Sequence, residues 1–175
     1  MTTTIEDAWG SRQMVNRGAG LAGGFLLNNQ LTDFSFSPTG GDGRPVANRV
    51  EPGKRPRSSM SPTLVFDKAT GQLLISGGSP GGALIIHFTA KTLYGMLHWG
   101  MNAQQAIDLP NFGSLNGPTL LEAGRFSPAA VQALKSRGHT VVEVPMASGL
   151  QAIARTPTGF FGGADPRREG VVLGD

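Results

Sequence analysis

The sequence has no cysteine, and only three of its 175 residues are histidines. The absence of thiols excludes disulfides and thiolate metal sites. The histidines stand alone at His87, His98 and His139, so their spacing does not suggest a cluster of metal ligands. We therefore expect no metal site.

Long hydrophobic runs are also lacking. No segment approaches the ~18 consecutive apolar residues of a membrane-spanning helix. The first residues are polar and β-branched, unlike those of a signal peptide. We therefore expect no membrane partner. Hydrophobic residues still make up 39% of the chain and charged residues only 15%, a composition that is typical of a globular protein and too apolar for a disordered one.

Acidic residues are fewer than basic ones, and much of the excess positive charge lies in "GRPVANRVEPGKRPR". This segment admits three interpretations: a solvated loop, a loop that attracts an anionic small substrate, and a nucleic-acid patch. No aromatic residue stands among the basic ones, so stacking on bases has no support. The sequence therefore predicts no nucleic-acid partner and favours the solvated loop.

Glycine and proline are abundant, with 26 and 12 residues, which indicates many tight turns. The stretch "TLVFDKATGQLLIS" predicts a β-hairpin. Helices are predicted from about Gly82 to Trp99, from a cap at Asn102 through Asp108, and over "SPAAVQALKSRGH". Further strands are predicted in "MTTTI", "GFLLNN", "TVVEVP", "LQAIAR", "GFFGGA" and "GVVLG". Because the sequence contains no internal repeat and no linker segment, we predict one α+β domain over residues 1–175.

The stretch "GGSPGGALII" joins a predicted strand to a predicted helix. At a helix N-terminus the backbone N–H groups lack partners and the helix dipole is positive, and glycine lets a substrate atom come close. Gly81 and Gly82 therefore suit an anion or a developing oxyanion. No Gly-Lys-Ser/Thr follows, so this is not a Walker phosphate loop. A tight turn that needs glycine is the alternative interpretation.

Two other stretches bring polar groups together. "KRPRSSMSPT" contains Ser58 and Ser59, which can donate hydrogen bonds to a carboxylate or to the backbone of their own turn. "LLNNQLTDFSF" contains Gln30 and Asp33 among apolar residues; such groups can hold the charged ends of an amino acid, and an Asx-type turn explains them as well. No Gly-x-Ser-x-Gly is present, so a serine-triad hydrolase is not indicated.

The stretches "LLNNQLTDFS", "KRPRSSMSPT" and "GSPGG" follow one another along the chain. In this order and at this spacing they closely resemble the small subunit of the γ-glutamyltranspeptidases. The tail "GADPRREG" is similar to that family's end, and the resemblance extends over nearly the whole chain. It implies an N-terminal-nucleophile hydrolase fold, an αββα arrangement of two stacked sheets between helix layers. It also implies a precursor that cleaves itself and exposes a threonine nucleophile. That threonine attacks the γ-amide of glutathione or a similar compound, and the γ-glutamyl group passes to water or an amino acid without a cofactor.

The resemblance also implies roles for individual residues. Gly81 and Gly82 match the glycines whose N–H groups form the family's oxyanion hole. Ser58 and Ser59 match the serine pair that binds the glutamyl α-carboxylate. These roles agree with the chemistry inferred from the residues alone.

Four other residues acquire roles in the same way. Gln30 and Asp33 match residues that hold the glutamyl α-amino group, for which a carboxylate has the right sign. Thr4 matches a threonine that supports the nucleophile from the neighbouring strand. Glu6 stands where many family members have asparagine in the substrate pocket, and this departure makes the acyl specificity uncertain.

The start of the chain raises a rival for the nucleophile. If Met1 is removed, Thr2 becomes an N-terminal threonine, which can act as a nucleophile with its own α-amine as the base. In the family, however, the catalytic threonine stands in a Thr-Thr-His-like stretch one strand upstream of the segment that matches "TTTIEDAWGS". We therefore expect these 175 residues to form an incomplete fold without the nucleophile and to be inactive alone.

Three functions remain open at this point. The first is the C-terminal part of a γ-glutamyltransferase or glutathione hydrolase, whose partners are a γ-glutamyl small molecule and the missing large subunit. The second is an inactive remnant or a binding module for a γ-glutamyl compound. The third is a related acylase with altered acyl specificity. Family members are often exported, which leaves the compartment of this chain undecided.

Overall fold

The computed structural model describes residues 30–174. The chain divides into two compact units, one ending at Ser58 and the other beginning at Ser59. The prediction of a single domain over residues 1–175 stays a prediction.

The second unit is built on an antiparallel sheet of four strands in the order β1-β2-β6-β7. Strands β1 (Thr63–Phe66) and β2 (Leu73–Gly78) form the predicted hairpin. Strands β6 (Gln151–Thr156) and β7 (Gly159–Ala164) form a second hairpin. Because β2 pairs with β6, the two hairpins join into one sheet.

Two helices pack against one face of this sheet. Helix α1 (Ile85–His98) continues from a 3-10 turn at Gly82–Leu84. Helix α2 (Ala103–Asp108) begins at a capping box, in which the Asn102 side chain accepts from the Gln105 N–H and the Gln105 side chain accepts from the Asn102 N–H. The sequence predicts both helix starts because their signals are local.

The hydrophobic core lies between these helices and the sheet. Helix α2 can lie directly on β7 because Gly163 has no side chain; a Cβ there would come within 2.8 Å of the Gln104 nitrogen. Phe88 is 2% exposed and Ile107 is fully buried, and each such burial stabilises the fold by ~2–3 kcal/mol. The buried cluster consists of Phe88, Ala103, Ile107, Met146, Leu150 and Ala152.

The opposite face of the four-stranded sheet is apolar but exposed. Leu64, Ile153 and Phe160 share this face through the pairing register, and each is more than half exposed, at 58%, 51% and 65%. The guanidinium of Arg155 lies 5.0 Å from the centre of the Phe160 ring. One side of the sheet is thus covered by helices, and the other presents large apolar side chains to solvent.

A three-stranded sheet completes the second unit, in the order β3-β4-β5. Strand β3 (Phe112–Gly113) is antiparallel to β4 (Thr119–Glu122), and β4 is parallel to β5 (Val141–Val144). Parallel neighbours need a crossover connection, and helix α3 (Pro128–Ser136) lies in it. The side chain of Ser127 caps α3 as predicted.

The described part of the first unit is mostly turns and irregular backbone. Gln30–Asp33 forms a 3-10 turn, and Thr39 and Pro45 form an isolated antiparallel bridge. Among residues 30–174, no helix combines the length and the apolarity that crossing a membrane requires.

Most of the predicted elements are confirmed, but not all. The strand predicted in "GVVLG" is wrong, since residues 170–174 form no strand. The sequence did not predict β3 or β4. The strands predicted in "MTTTI" and "GFLLNN" lie outside the described residues.

Candidate functional site

The glycine pair 81–82 lies between the end of β2 and the start of α1. Gly81 has φ 139° and Gly82 has φ 56°, conformations that glycine adopts without strain and other residues do not. A Cβ on Gly81 would lie 2.6 Å from the ring of Phe88, whereas a Cβ on Gly82 would meet no atom of residues 30–174 within 4 Å. Gly81 therefore packs against the core, and within the described part of the chain Gly82 has no such neighbour.

The N–H groups of this pair have no acceptor among residues 30–174. No side chain caps the helix start either. The following donors do find carbonyls, since the Leu84 N–H donates to the Gly81 carbonyl at 3.1 Å and the Ile85 N–H donates to the Gly82 carbonyl. Two backbone donors at the positive end of α1 suit an anion or a developing oxyanion.

The loop that leads into the glycine pair is held by residues 147–149. The Gly149 N–H donates to the hydroxyl of Ser79 at 3.2 Å. Arg168, in the tail of the chain, donates to the carbonyls of Ala147 and Ser148 at 3.1 and 3.2 Å. The tail therefore stabilises the segment on which this loop rests.

Gln30 and Asp33 lie at the two ends of one 3-10 turn in the first unit. The Asn48 Nδ2 donates to the Asp33 carbonyl at 2.6 Å. The Asn48 Oδ1 accepts from the Arg57 N–H at 2.8 Å. One asparagine side chain thus ties the end of this turn to the residue that precedes Ser58.

The basic segment of the first unit neutralises much of its own charge. Glu51 accepts from Lys54 at 2.9 Å and from Arg49 at 2.5 Å. The hydrogen bonds from Lys54 and Arg49 hold the pKa of Glu51 below its ordinary value. Arg44 lies 3.9 Å from the carboxylate of Asp42. These pairs favour the solvated-loop interpretation of the segment.

Several predicted site residues lie elsewhere. Thr4 and Glu6 fall outside the described residues, and their roles stay predictions. Ser58 ends the first unit and Ser59 begins the second, which also contains the glycine pair. Within residues 30–174, no group of three or more metal-ligating side chains is found.

A closed ring of hydrogen bonds in the second unit was not predicted from the sequence. Arg167 donates to both carboxylate oxygens of Glu122 at 2.6 and 2.7 Å, and to Asp165 at 3.1 Å. Asp165 accepts from the hydroxyl of Ser148, which accepts from the Asn111 side chain at 2.8 Å. The Asn111 N–H closes the ring on Glu122 at 2.7 Å. The only sequence signal was "GADPRREG", which indicated the family but no contact.

The ring keeps its acidic and basic groups ionised. Burial raises the pKa of Glu122, but hydrogen bonds from Arg167 and from the Asn111 N–H outweigh it and lower that pKa below its ordinary value. Burial likewise raises the pKa of Asp165, and hydrogen bonds from Ser148 and nearby N–H groups reverse the effect. Burial lowers the pKa of Arg167, but its carboxylate partners Glu122 and Asp165 raise it by more, so that this pKa lies above its ordinary value. Two carboxylates therefore share one guanidinium in a buried site.

Lys91 adds a second cation beside the ring. Its Nζ donates to the carbonyls of Ile107 and Leu109 at 3.1 and 2.7 Å, and Arg167 donates to the same two carbonyls. These carbonyls lie at the end of α2, where helix carbonyls lack partners and the dipole is negative. Burial lowers the pKa of Lys91 to about 8, and the charge of Arg167 acts in the same direction.

Lys91 should make the stability of the chain depend on pH in alkaline solution. An unfolded lysine titrates near 10.4, so between about pH 8 and that value the unfolded chain binds more protons. The free energy of unfolding should therefore rise with pH across this window, by up to about 3 kcal/mol relative to Lys91→Met. Below about pH 8 both states are protonated, and the difference should be constant.

Urea denaturation of the two proteins from pH 7 to 10.5 measures this effect. The matched control is Lys135→Met, because Lys135 is exposed on α3 and its removal should leave the pH profile unchanged. Parallel pH profiles for the wild type and Lys91→Met would contradict the prediction.

Comparison with known proteins places the chain among characterised relatives. The family described as Gamma-glutamyltranspeptidase matches residues 1–175. The glutathione hydrolase proenzyme of Pseudomonas sp. (strain A14) is 36% identical over 192 residues, covering 99% of this chain and 32% of that protein. The Acylase ACY 1 proenzyme of Pseudomonas sp. (strain SE83) is 33% identical over 143 residues, covering 81% of this chain and 24% of that protein. The solved T380A mutant of Helicobacter pylori γ-glutamyltranspeptidase has a TM-score of 0.75 and 32% identity, covering 96% of this chain and 92% of that chain.

These similarities confirm the fold class: the chain has the α+β fold of the N-terminal-nucleophile hydrolases. Within that class it belongs to the γ-glutamyltranspeptidase family. Members of the family are enzymes made as proenzymes, and acylases are among the relatives. The chain spans about a third of the length of the curated glutathione hydrolase from Pseudomonas.

Proposed function

We propose that this chain forms part of an enzyme that cleaves γ-glutamyl amides such as glutathione and transfers the γ-glutamyl group to water or an amino acid. The observation that carries the proposal is the glycine pair at the start of α1. Its two N–H groups have no acceptor within residues 30–174. Family membership supplies the reaction class, and this pair supplies the electrostatic chemistry that the reaction needs.

In the proposed reaction a threonine hydroxyl attacks the γ-carbonyl carbon, and the carbonyl oxygen becomes an oxyanion. Gly81 and Gly82 donate their N–H groups to it. Collapse of this intermediate breaks the C–N bond, and the amine leaves with the proton of the threonine hydroxyl, so that a γ-glutamyl ester of the threonine remains. Water or an amino-acid amine attacks this ester through a second oxyanion, whose collapse releases the γ-glutamyl product and returns a proton to the threonine oxygen. Since the donors are backbone groups fixed by the core, they need no rearrangement, and removing one such donor typically costs ~10²–10³ in rate.

The proposed glutamyl-binding residues have matching charge and polarity. The Asp33 carboxylate, with Gln30, faces the α-ammonium group of the substrate. The hydroxyls of Ser58 and Ser59 donate to its α-carboxylate. Hydrogen bonds that involve ionised groups are the strong ones, so this set would favour a free α-amino acid end over a neutral acyl chain.

We further propose that the nucleophilic threonine and the large subunit come from sequence outside these 175 residues, and that Thr4 supports this threonine. The apolar sheet face made by Leu64, Ile153 and Phe160 favours such a partner, because large exposed apolar surfaces usually mark an interface. A second sheet stacked on it, ~10 Å away, would bury these side chains. The isolated chain should then be inactive.

A chimera tests this function. The third of the Pseudomonas sp. (strain A14) proenzyme that matches this chain is replaced by residues 1–175. We expect the chimera to hydrolyse γ-glutamyl p-nitroanilide and the isolated chain to show no turnover. An inactive chimera beside an active parent enzyme would contradict the proposal and favour an inactive remnant. Turnover by the isolated chain that disappears in Thr2→Ala would restore Thr2 as the nucleophile.

A related acylase is the second candidate, since Acylase ACY 1 is among the relatives. Glu6 bears on this choice, because a carboxylate there would repel the carboxylate that γ-glutamyl and glutaryl groups share and would attract the ammonium group that only a γ-glutamyl group has. The chimera decides between the two when it is offered γ-glutamyl and glutaryl p-nitroanilides. A preference for the glutaryl donor would favour the acylase, and a preference for the γ-glutamyl donor that Glu6→Asn weakens would favour the γ-glutamyltransferase. Calorimetry with glutathione on an inactive chimera separates a binding module from a remnant.

A further inference from the structure

Asn48 is the residue that joins the two halves of the candidate glutamyl site in the first unit. Its side chain makes both of its hydrogen bonds to backbone groups far away in sequence. The Nδ2 donates to the Asp33 carbonyl at 2.6 Å, and the Oδ1 accepts from the Arg57 N–H at 2.8 Å. The Asn48 carbonyl also accepts from the Ser35 N–H at 2.9 Å. Neither the charge pattern nor any motif singled out this residue.

Each of these contacts satisfies a group that lacks a partner in secondary structure. Asp33 ends a 3-10 turn, and the last carbonyls of a helix accept no hydrogen bond from an N–H group of the same helix. Arg57 lies in a segment without strand pairing, so its N–H has no ladder partner. A single carboxamide supplies a donor to the first group and an acceptor to the second. The orientations of Asp33 and of the backbone that enters Ser58 are therefore set by the same side chain.

The loop between Asn48 and Arg57 reinforces this coupling. Glu51 pairs with Arg49 and Lys54 inside it, at 2.5 and 2.9 Å. Each such partly exposed pair contributes only ~0–1 kcal/mol, but together they restrict the loop that Asn48 closes. Asn48 thus closes a small loop between residues 48 and 57 and links it to the two candidate substrate-binding residues, Asp33 and Ser58.

We propose that Asn48 is a positioning residue that holds the ammonium-binding Asp33 in register with the carboxylate-binding Ser58. This inference rests on the proposed function of the site. The two hydrogen bonds have separable effects. Asn48→Asp keeps an acceptor for the Arg57 N–H but loses the donor to Asp33, whereas Asn48→Ala loses both.

The test compares two donors in the chimera. A glutaryl amide keeps the carboxylate of a γ-glutamyl amide but lacks its ammonium group. Asn48→Asp should raise the KM for γ-glutamyl p-nitroanilide about tenfold, the effect of one misplaced hydrogen-bonding group. The kcat should stay within about twofold, because ground state and transition state lose the same contact. The KM for glutaryl p-nitroanilide should hardly change, while Asn48→Ala should raise the KM for both donors.

The matched control is Arg44→Ala, an exposed residue of the same unit whose ion pair is long at 3.9 Å; both KM values should stay unchanged. Equal effects of Asn48→Asp on the two donors, or no effect on either, would overturn the positioning role. If the unmodified chimera cleaves neither donor, the proposed function fails. The coupling is then decided by amide exchange in the isolated chain. Exchange of the Arg57 N–H should accelerate in Asn48→Ala but not in Asn48→Asp, and identical exchange in all three proteins overturns it.

Discussion

Arg167→Met should destabilise the chain by ~3–5 kcal/mol, because it leaves two buried carboxylates without their shared cation. Glu122 is 8% exposed and Asp165 is 3% exposed, so bulk solvent screens their charges poorly. Domains are typically stable by only ~5–15 kcal/mol, and the variant should therefore unfold at a much lower urea concentration. Urea denaturation followed by circular dichroism measures the loss.

Two variants show whether the unpaired charge is the cause. Arg167→Lys keeps the charge but cannot reproduce the forked contacts to Glu122 and the α2 carbonyls, so it should recover only part of the loss. Adding Glu122→Gln to Arg167→Met should recover stability, because it removes one of the unpaired charges. Arg44→Met, the exposed control, should change the free energy of unfolding by less than ~0.5 kcal/mol. Equal losses for Arg167→Met and Arg44→Met would disprove the importance of the ring.

The acid side of the stability profile provides an independent readout. The pKa values of Glu122 and Asp165 are lowered in the folded state. Their contribution is therefore fully present above their unfolded pKa values near 4 and is lost as the pH falls through the folded values. In Arg167→Met both pKa values should rise, since burial then acts without the opposing cation. Acid unfolding of the variant should begin at a higher pH.

The elements that the sequence predicted correctly carry their signals locally. Asn102 and Gln105 form a capping box within four residues, and Ser127 followed by Pro128 marks the start of α3. The hairpin of β1 and β2 likewise depends on a short turn. Such signals need no knowledge of the rest of the fold.

The elements that the sequence analysis missed depend on distant partners. Strand β4 exists because it pairs in parallel with β5 across a helix. The segment "GVVLG" has the composition of a strand, but its backbone pairs with no neighbouring strand among residues 30–174. Instead, the side chain of Val172 packs over Gly162, so closely that a Cβ on Gly162 would lie 2.6 Å from it. β-propensity describes a fit to a pleated surface, and it cannot supply the neighbouring strand.

The candidate site shows the same division between local and distant information. The glycine pair was identified from a local pattern, and the structure adds the φ values and the contact with Phe88. The buried ring was missed because its polar residues, spread from Asn111 to Arg167, each favour the surface when considered alone. Asn48 was missed because its two partners are 15 and 9 residues away.

Gly81→Ala should both destabilise the fold and nearly abolish turnover by the chimera. The new Cβ would lie 2.6 and 2.9 Å from two ring atoms of Phe88, a core residue that is 2% exposed. Overpacking costs ~1–3 kcal/mol, and the φ of 139° adds strain of ~1–3 kcal/mol for any residue with a side chain. Relief of this clash would shift the helix start, so the kcat on γ-glutamyl p-nitroanilide should fall by ~10²–10³.

Gly82→Ala separates the clash from the backbone strain. Its φ of 56° is left-handed, but its Cβ would meet no atom of the described residues within 4 Å, so the expected loss of stability is only ~1–2 kcal/mol. Gly43→Ala, at φ 75° and equally unobstructed, controls for the same strain away from the site and should leave kcat unchanged. Because the clash involves Phe88, the double variant Gly81→Ala/Phe88→Leu should lose less stability than the sum of the two single changes. Two results would show that the core does not position the N–H donors of Gly81 and Gly82. One is that the stability losses of Gly81→Ala and Phe88→Leu are strictly additive, and the other is that the Gly81→Ala chimera has the same kcat as the Gly43→Ala chimera.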